Sequence, residues 1–155
     1  MQLFSKGRTM VNTSKSINVL YRCSQAYRAD KLLGTEISPS IYFYLFSICK
    51  NPAISQDELA KMLYINKSSV ARALKSLEAD GFVIRRQDEN DKRILLVYPT
   101  KKAEELLPKI REISKSWNEF LLSALTKDER DSFEVIIEKL TKKATDYVNK
   151  EVADI

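Results

Sequence analysis

The sequence predicts a mainly α-helical chain that carries one short β-hairpin in its middle. Three observations predict it. Only three glycines and four prolines occur in 155 residues, too few for a loop-rich all-β design. Apolar residues recur at helical spacing along most of the chain. Between Phe82 and Tyr98 that spacing gives way to two β-branched runs around a polar tip, Asp88 to Lys92. With 44% hydrophobic residues the chain can bury one ordinary core, so residues 1–155 are read as a single domain.

Each element has its own signal. Residues 1–15 lack periodicity and are expected to be mobile. A helix is expected over 16–34, with Ile17, Leu20, Ser24 and Tyr27 along one side and Gly34 as a left-handed stop. Ser38-Pro39 reads as an N-cap and first helical residue. The helix that follows, to Lys50, is apolar nearly all round and should be central, and Asn51-Pro52 stops it. Ser55-Gln-Asp-Glu58 is a capping box opening a short helix whose buried side is Leu59, Met62 and Leu63. Asn66 caps the next helix, which ends at Gly81. At about 100° per residue, Val70, Ala73, Leu74 and Leu77 share one stripe, and Ser68, Arg72 and Lys75 face the other way. Strands are expected over Phe82–Gln87 and Ile94–Tyr98. Thr100 then caps a long amphipathic helix, bent at Pro108, and Thr126-Lys-Asp-Glu129 is a capping box for the last one. Two short helices followed by a hairpin make a winged helix–turn–helix over 38–100, with its wing at 82–99. The helices at 16–34 and 101–150 flank it.

Charge singles out the same region. From Lys61 to Lys102 ten Lys and Arg stand against five Asp and Glu, an excess equal to the whole chain's net +5. Outside that window 16 cations meet 16 anions. A local basic patch is the footprint of a polyanion-binding surface. Histidine is absent, which removes the commonest general base, metal ligand and nucleophile activator. Glycine-rich phosphate loops are missing, and Cys23 and Cys49 alone make no zinc site. No enzyme and no cofactor are expected. No apolar run approaches the ~20 residues that cross a bilayer, and no signal peptide opens the chain, so a cytoplasmic protein with no membrane partner is expected.

Double-stranded DNA is the polyanion this order of elements suits. Ser68, Ser69 and Arg72 lie in the first two turns of the second short helix, the end that leads into a major groove. Hydroxyls there can bond phosphates or base edges, and arginine can take guanine O6 and N7 together. Lys67 and Lys75 suit phosphates, as do Ser55 and Gln56 at the start of the preceding helix. Taken alone, the same pattern is that of a capped, solvated helix. On the hairpin tip, Asp91 stands two residues before Arg93 and can hold its guanidinium in one orientation. An arginine so held can enter a narrow minor groove. The alternative is a polar turn with a weak surface ion pair. The company of Arg85, Arg86 and Lys92 favours the DNA reading.

These residues resemble the MarR family of bacterial winged-helix transcription regulators over roughly Ile17 to Ala144. ISQDELAKML, INKSSVARALKSLEADGFVIRR and DENDKRILLVYPTKKA carry the likeness, and Asp91 and Arg93 match the family's Asp-x-Arg wing pair. Ser68, Ser69 and Arg72 match recognition-helix positions. Ala103 departs from the pattern, since many members have glycine there. The resemblance implies a homodimer with interlocked terminal helices, bound to a palindromic operator and released by a small ligand or an oxidised cysteine.

Dimerisation also has support in the residues. Ile17, Leu20, Trp117, Phe120, Leu121, Tyr147 and Val148 are a large apolar load for the terminal helices, and a two-fold partner would cover it. Cys23 is the candidate redox thiol, provided that it is exposed and acidified. Tyr21, Tyr27, Tyr42, Tyr44 and Tyr64 could line a pocket for an aromatic effector or sit in the core. The expected function is a sequence-specific regulator, a dimeric repressor released by a ligand. The alternatives are a winged-helix protein-interaction module without DNA binding, and a redox-sensing regulator using Cys23.

Overall fold

The computed structural model describes residues 11–153, with side chains through residue 149. Its elements in chain order are α1 (Thr13–Lys31), α2 (Tyr42–Lys50), β1 (Ile54–Ser55), α3 (Gln56–Leu63), α4 (Lys67–Ala79), β2 (Val83–Gln87), β3 (Leu95–Pro99), α5 (Lys101–Leu122) and α6 (Lys127–Ala153). The mobility expected for residues 1–10 lies outside the described residues. The strands form one antiparallel sheet in the order β1-β3-β2.

The helix starts follow from capping chemistry, with two corrections. Asn12 is no part of an unstructured lead: its side chain accepts the Lys15 amide at 2.9 Å and starts α1 at Thr13 rather than Ser16. Ser38 does not cap α2 directly. Pro39 occupies a turn, the Ser38 carbonyl accepts the amides of Ile41 and Tyr42 at 3.1 Å each, and α2 begins at Tyr42. The capping boxes at Ser55 and Thr126 form in both directions, and Asn66 accepts the Ser69 amide at 2.8 Å. Gly34 has φ 77° but lies in the turn beyond α1, which ends at Lys31. Gly81, at φ 73°, turns the chain from α4 into β2.

The strand β1 is new. Its Ile54 pairs with Val97 and its Ser55 with Leu96, so β3 has a partner on each side at its inner end. β3 starts at Leu95 because the Ile94 amide closes the hairpin turn onto the Asp91 carbonyl at 2.9 Å. α5 runs unbroken through Pro108.

The core gathers around α2. Leu45 and Ile48 meet Leu59 of α3, Val70, Leu74 and Leu77 of α4, Val83 and Val97 of the sheet, and Ile110 of α5, all fully enclosed. The buried stripe of α4 is the one its periodicity predicts. On α3, Met62 is 45% exposed and Ala60 takes its place inside. Ala103 is fully buried in the first turn of α5, a helical position where alanine fits better than glycine. Thr100 pins that helix to the α4–β2 turn, donating to the Gly81 carbonyl at 2.7 Å while its oxygen accepts the Ala103 amide. Lys102 reinforces the joint, reaching the Asp80 carbonyl at 2.8 Å and the Glu36 carboxylate.

Leu74→Ala should cost about 2–5 kcal/mol, the range for emptying an enclosed leucine site. Ser68→Ala, on the exposed side of the same helix, should stay within about 0.5 kcal/mol. Urea midpoints at one fixed protein concentration check both values, and an equal effect of the two would contradict the burial pattern of α4.

Candidate nucleic-acid interface

Three chain features meet on one side of the molecule. The N-terminus of α4 is tied to the first turn of α3 by the Lys67–Asp57 ion pair at 2.7 Å. That same first turn forms one wall of a cleft of about 300 Å³ whose other wall is Arg93, Ile94 and Leu95 of the hairpin. Gln56, Lys67 and the tip arginine therefore border a continuous surface. Both helices point the positive ends of their dipoles and their free amides toward it.

On α4, Ser68, Arg72 and Lys75 are exposed and Ser69 is half-buried. Ser68 donates to the Asn66 side chain at 2.8 Å, and the Arg72 guanidinium donates to Ser69 at 3.1 Å. Arg72 is thus oriented by a neighbour, with donors left over. Ser55 is engaged as the cap of α3, bonded to Glu58 through both its amide and its hydroxyl. It can still offer a hydroxyl oxygen at the cleft, though its first role is structural.

The hairpin tip is ordered by its own side chains. Asp88 accepts the amides of Asn90 at 2.7 Å and Asp91 at 2.9 Å, an Asx turn that the Asp-x-Asn spacing could have announced. Asp91 then grips Arg93 three ways. One carboxylate oxygen takes the Arg93 amide and Nε, each at 3.0 Å, and the other takes Nη2 at 2.9 Å. The Arg93 side chain is nevertheless 90% exposed. A guanidinium fixed in direction yet open to solvent is prepared to bind an anion with little loss of side-chain freedom.

Arg85 corrects the expectation. Sequence placed it among the DNA contacts, but its side chain turns to the α4 side of the sheet and donates Nε to Glu78 at 3.0 Å, with Nη2 on the same oxygen. Strand alternation is the reason: Arg85 shares its face with Val83 and pairs with buried Val97. Arg86 points the other way and lies over the Tyr98 ring, 5.4 Å from its centroid. Lys92 is exposed at the tip. Among the described residues Lys61, Arg72, Lys75, Arg86 and Lys92 have no carboxylate within ion-pair distance. Asp57 and Glu78, which engage two of the predicted cations, were not singled out in the sequence, because each meets its partner only across a fold contact.

Four of the seven candidate dimer residues fall on two apolar clefts. Leu20 and Leu121 line one of about 460 Å³ with Leu122, Leu125 and Phe133. Ile17 and Val148 line another of about 380 Å³ with Tyr64, Ile137 and Leu140. Phe120 and Tyr147 are 65% and 64% exposed, whereas Trp117 is half-covered between Tyr27 and Phe120. The five tyrosines do not gather in one pocket. Tyr42 and Tyr44 are in the core, Tyr27 packs on Trp117, Tyr21 is exposed, and only Tyr64 lines one of these clefts. Cys23 is exposed; Cys49 is half-covered, and burial, with Glu104 adding to it against Arg111, pushes its thiol up to about 11. That makes Cys49 a poor nucleophile at neutral pH. No described helix is long and apolar enough to cross a membrane.

Residues 37–95 match the model of the MarR family. HTH-type transcriptional regulator BilQ of Clostridium symbiosum is 32% identical, over 68% of this chain and 74% of its own. The chain belongs to the MarR family. HTH-type transcriptional regulator YybA of Bacillus subtilis is 28% identical, over 88% of this chain and 93% of its own. A MarR family transcriptional regulator from Listeria monocytogenes, solved in complex with a 26mer DNA, superposes with a TM-score of 0.83 at 27% identity, over 90% of this chain and 93% of that one. Like its family, this protein is a winged helix–turn–helix transcription regulator and not an enzyme.

Its acid response follows from four carboxylates. Hydrogen bonds from Ser55, Arg85, Arg93 and Thr126 hold Glu58, Glu78, Asp91 and Glu129 below their ordinary values. The unfolded chain binds protons at these sites more readily, so their contribution is complete above the ordinary range near pH ~4 and is lost as pH falls through the lower folded values. With no histidine to titrate, the thermal midpoint should be flat between about pH 7 and 5.5 and should fall below about pH 4. A step near pH 6.5 would contradict this.

Proposed function

We propose that this regulator binds a palindromic operator as a homodimer, each copy setting α4 in a major groove and Arg93 in the neighbouring minor groove. The observation that carries the reading is the fixed, solvent-open Arg93 guanidinium on the same side as the N-termini of α3 and α4. In this arrangement Arg72 reads base edges, helped by Ser68 and Ser69. Gln56, Lys67, Lys75 and Lys92 hold phosphates, with Arg86 at the flank of the wing. Asp91 orients Arg93 and touches no DNA itself.

The dimer rests on the terminal helices. Among the described residues α6 meets the other elements only sparsely, and Ile136, Ile137, Leu140 and Val148 are exposed along it. Exposed apolar area of that extent on a lone helix marks a protein contact. A second copy would cover it together with Ile17, Leu20 and Phe120, and two-fold pairing suits two half-sites about one helical turn apart. The cleft shared by Ile17, Tyr64, Leu140 and Val148 lies between these helices and the α3–α4 turn. A small apolar or aromatic ligand held there would change the distance between the two DNA-binding lobes and release the operator, which makes the protein a ligand-relieved repressor. A chromosomal duplex as partner implies the cytoplasm.

Duplexes recovered by selection from genomic fragments test this. Arg72→Ala and Arg93→Ala should each weaken the selected duplex by about ten-fold or more, the range for a base or groove arginine. Lys75→Ala should weaken selected and random duplexes alike and reduce the slope of log affinity against log salt by about one. Affinity for the selected duplex left unchanged by both arginine variants would overturn the assignment.

A further inference from the structure

We infer that Glu78 and Arg85 form a positioning pair that sets the angle of the wing against α4, so that they govern operator selectivity without touching DNA. This rests on the reading of α4 and the wing tip as the two groove-binding parts. The pair joins those parts directly. Glu78 stands in the last turn of α4 and Arg85 near the root of the hairpin, bonded through Nε and Nη2. Both side chains are partly covered, at 37% and 27% exposed.

The place of Arg85 in the sheet gives the pair its leverage. Val97 pairs with Ile54 on one side and Arg85 on the other, and Leu96 with Ser55 and Arg86. Beyond Gln87 and Leu95 the hairpin has no third strand. A two-stranded ribbon has little rigidity of its own. It rises about 3.3 Å per residue, so a small tilt at Arg85 grows along the strand toward Arg93. The Gly81 turn, the Phe82 amide on the Leu77 carbonyl at 2.8 Å and buried Val83 hold the start of β2 against α4, and the pair adds a polar tie farther along the strand. Nε and Nη2 converge on one Glu78 carboxylate oxygen, which confines the guanidinium more than a single hydrogen bond would.

The electrostatics also argue against a phosphate contact. Arg85 gives two donors to Glu78, and the partner's negative charge would repel a phosphate approaching the same spot. Loss of either partner should therefore act in the same direction on binding. A phosphate-binding arginine beside a bystander glutamate predicts opposite signs.

The test compares wild type with Glu78→Gln, Arg85→Gln, Arg85→Lys and, as a contact control, Arg72→Ala, on a selected duplex and a random one across a salt series. Glu78→Gln and Arg85→Gln should each weaken the selected duplex about ten-fold while the random duplex changes by less than about two-fold and the salt slope holds. Arg85→Lys keeps the charge but not the fork, and should fail like Arg85→Gln. Spin labels at Lys75→Cys and Lys92→Cys, in a Cys23→Ser, Cys49→Ala background, supply a readout without DNA: their distance distribution should broaden in Glu78→Gln. The pair is overturned if Glu78→Gln binds the selected duplex as well as wild type while Arg72→Ala does not, if Arg85→Lys behaves as wild type, or if the label distances stay as narrow. An Arg72→Ala variant that binds normally overturns the α4 surface, and this inference with it.

Discussion

A single apolar stripe holds α4. Val70, Ala73, Leu74 and Leu77 are enclosed against α2 and the sheet, and the helical repeat then leaves no freedom about what the other side carries. Ser68, Arg72 and Lys75 must face outward as long as that stripe is buried. Loss of the stripe would let the helix roll and would scatter every contact assigned to it. The caps at Ser55 and Asn66 complete the arrangement, because they fix where α3 and α4 begin and so where their amides point.

Electrostatics refine what packing permits. The basic window of the sequence is not uniformly available. Lys67, Arg85, Arg93, Lys101 and Lys102 each meet a carboxylate, and four of these five pairs join parts of the structure in different ways. Lys67 with Asp57 joins two helix starts, Lys102 with Glu36 closes a joint under α5, Arg85 with Glu78 braces the wing, and Asp91 aims Arg93. Exposed ion pairs of this kind add little stability. Their value here is geometric, since they decide which cations reach outward and in what direction. Lys61, Arg72, Lys75, Arg86 and Lys92 supply the remaining field.

The elements most legible in the sequence were those with local causes. Both capping boxes, the Asn66 cap, the α4 stripe and the Asp91–Arg93 pair each link neighbours no more than four positions apart along the chain, and spacing alone announces them. What escaped depends on contacts across the fold. β1 is two residues long and exists because β3 has an open edge for Ile54 and Ser55. Met62 falls on the apolar side of α3 by periodicity, yet it stays half exposed, with the Asn51 side-chain amide donating to its sulfur at 3.8 Å. Arg85 looked like one more cation of a basic cluster, because strand alternation says which face it takes but not that Glu78 waits there. The tyrosines were ambiguous for the same reason: their number suggested a pocket, and only the packing shows that Tyr42 and Tyr44 belong to the core.

The terminal helices complete the molecule's logic. α6 leaves Ile136, Ile137, Leu140 and Val148 partly exposed, and a second copy related by two-fold symmetry would both cover them and place a second α4 and wing on the same duplex face. Hydroxyl-radical footprinting of a selected duplex tests this central claim most directly. Two protected zones per strand are expected, related by a dyad, with the outer minor grooves shielded by Arg93 in wild type and reopened in the Arg93→Ala protein. A single protected zone, or outer grooves equally shielded in both proteins, would contradict it.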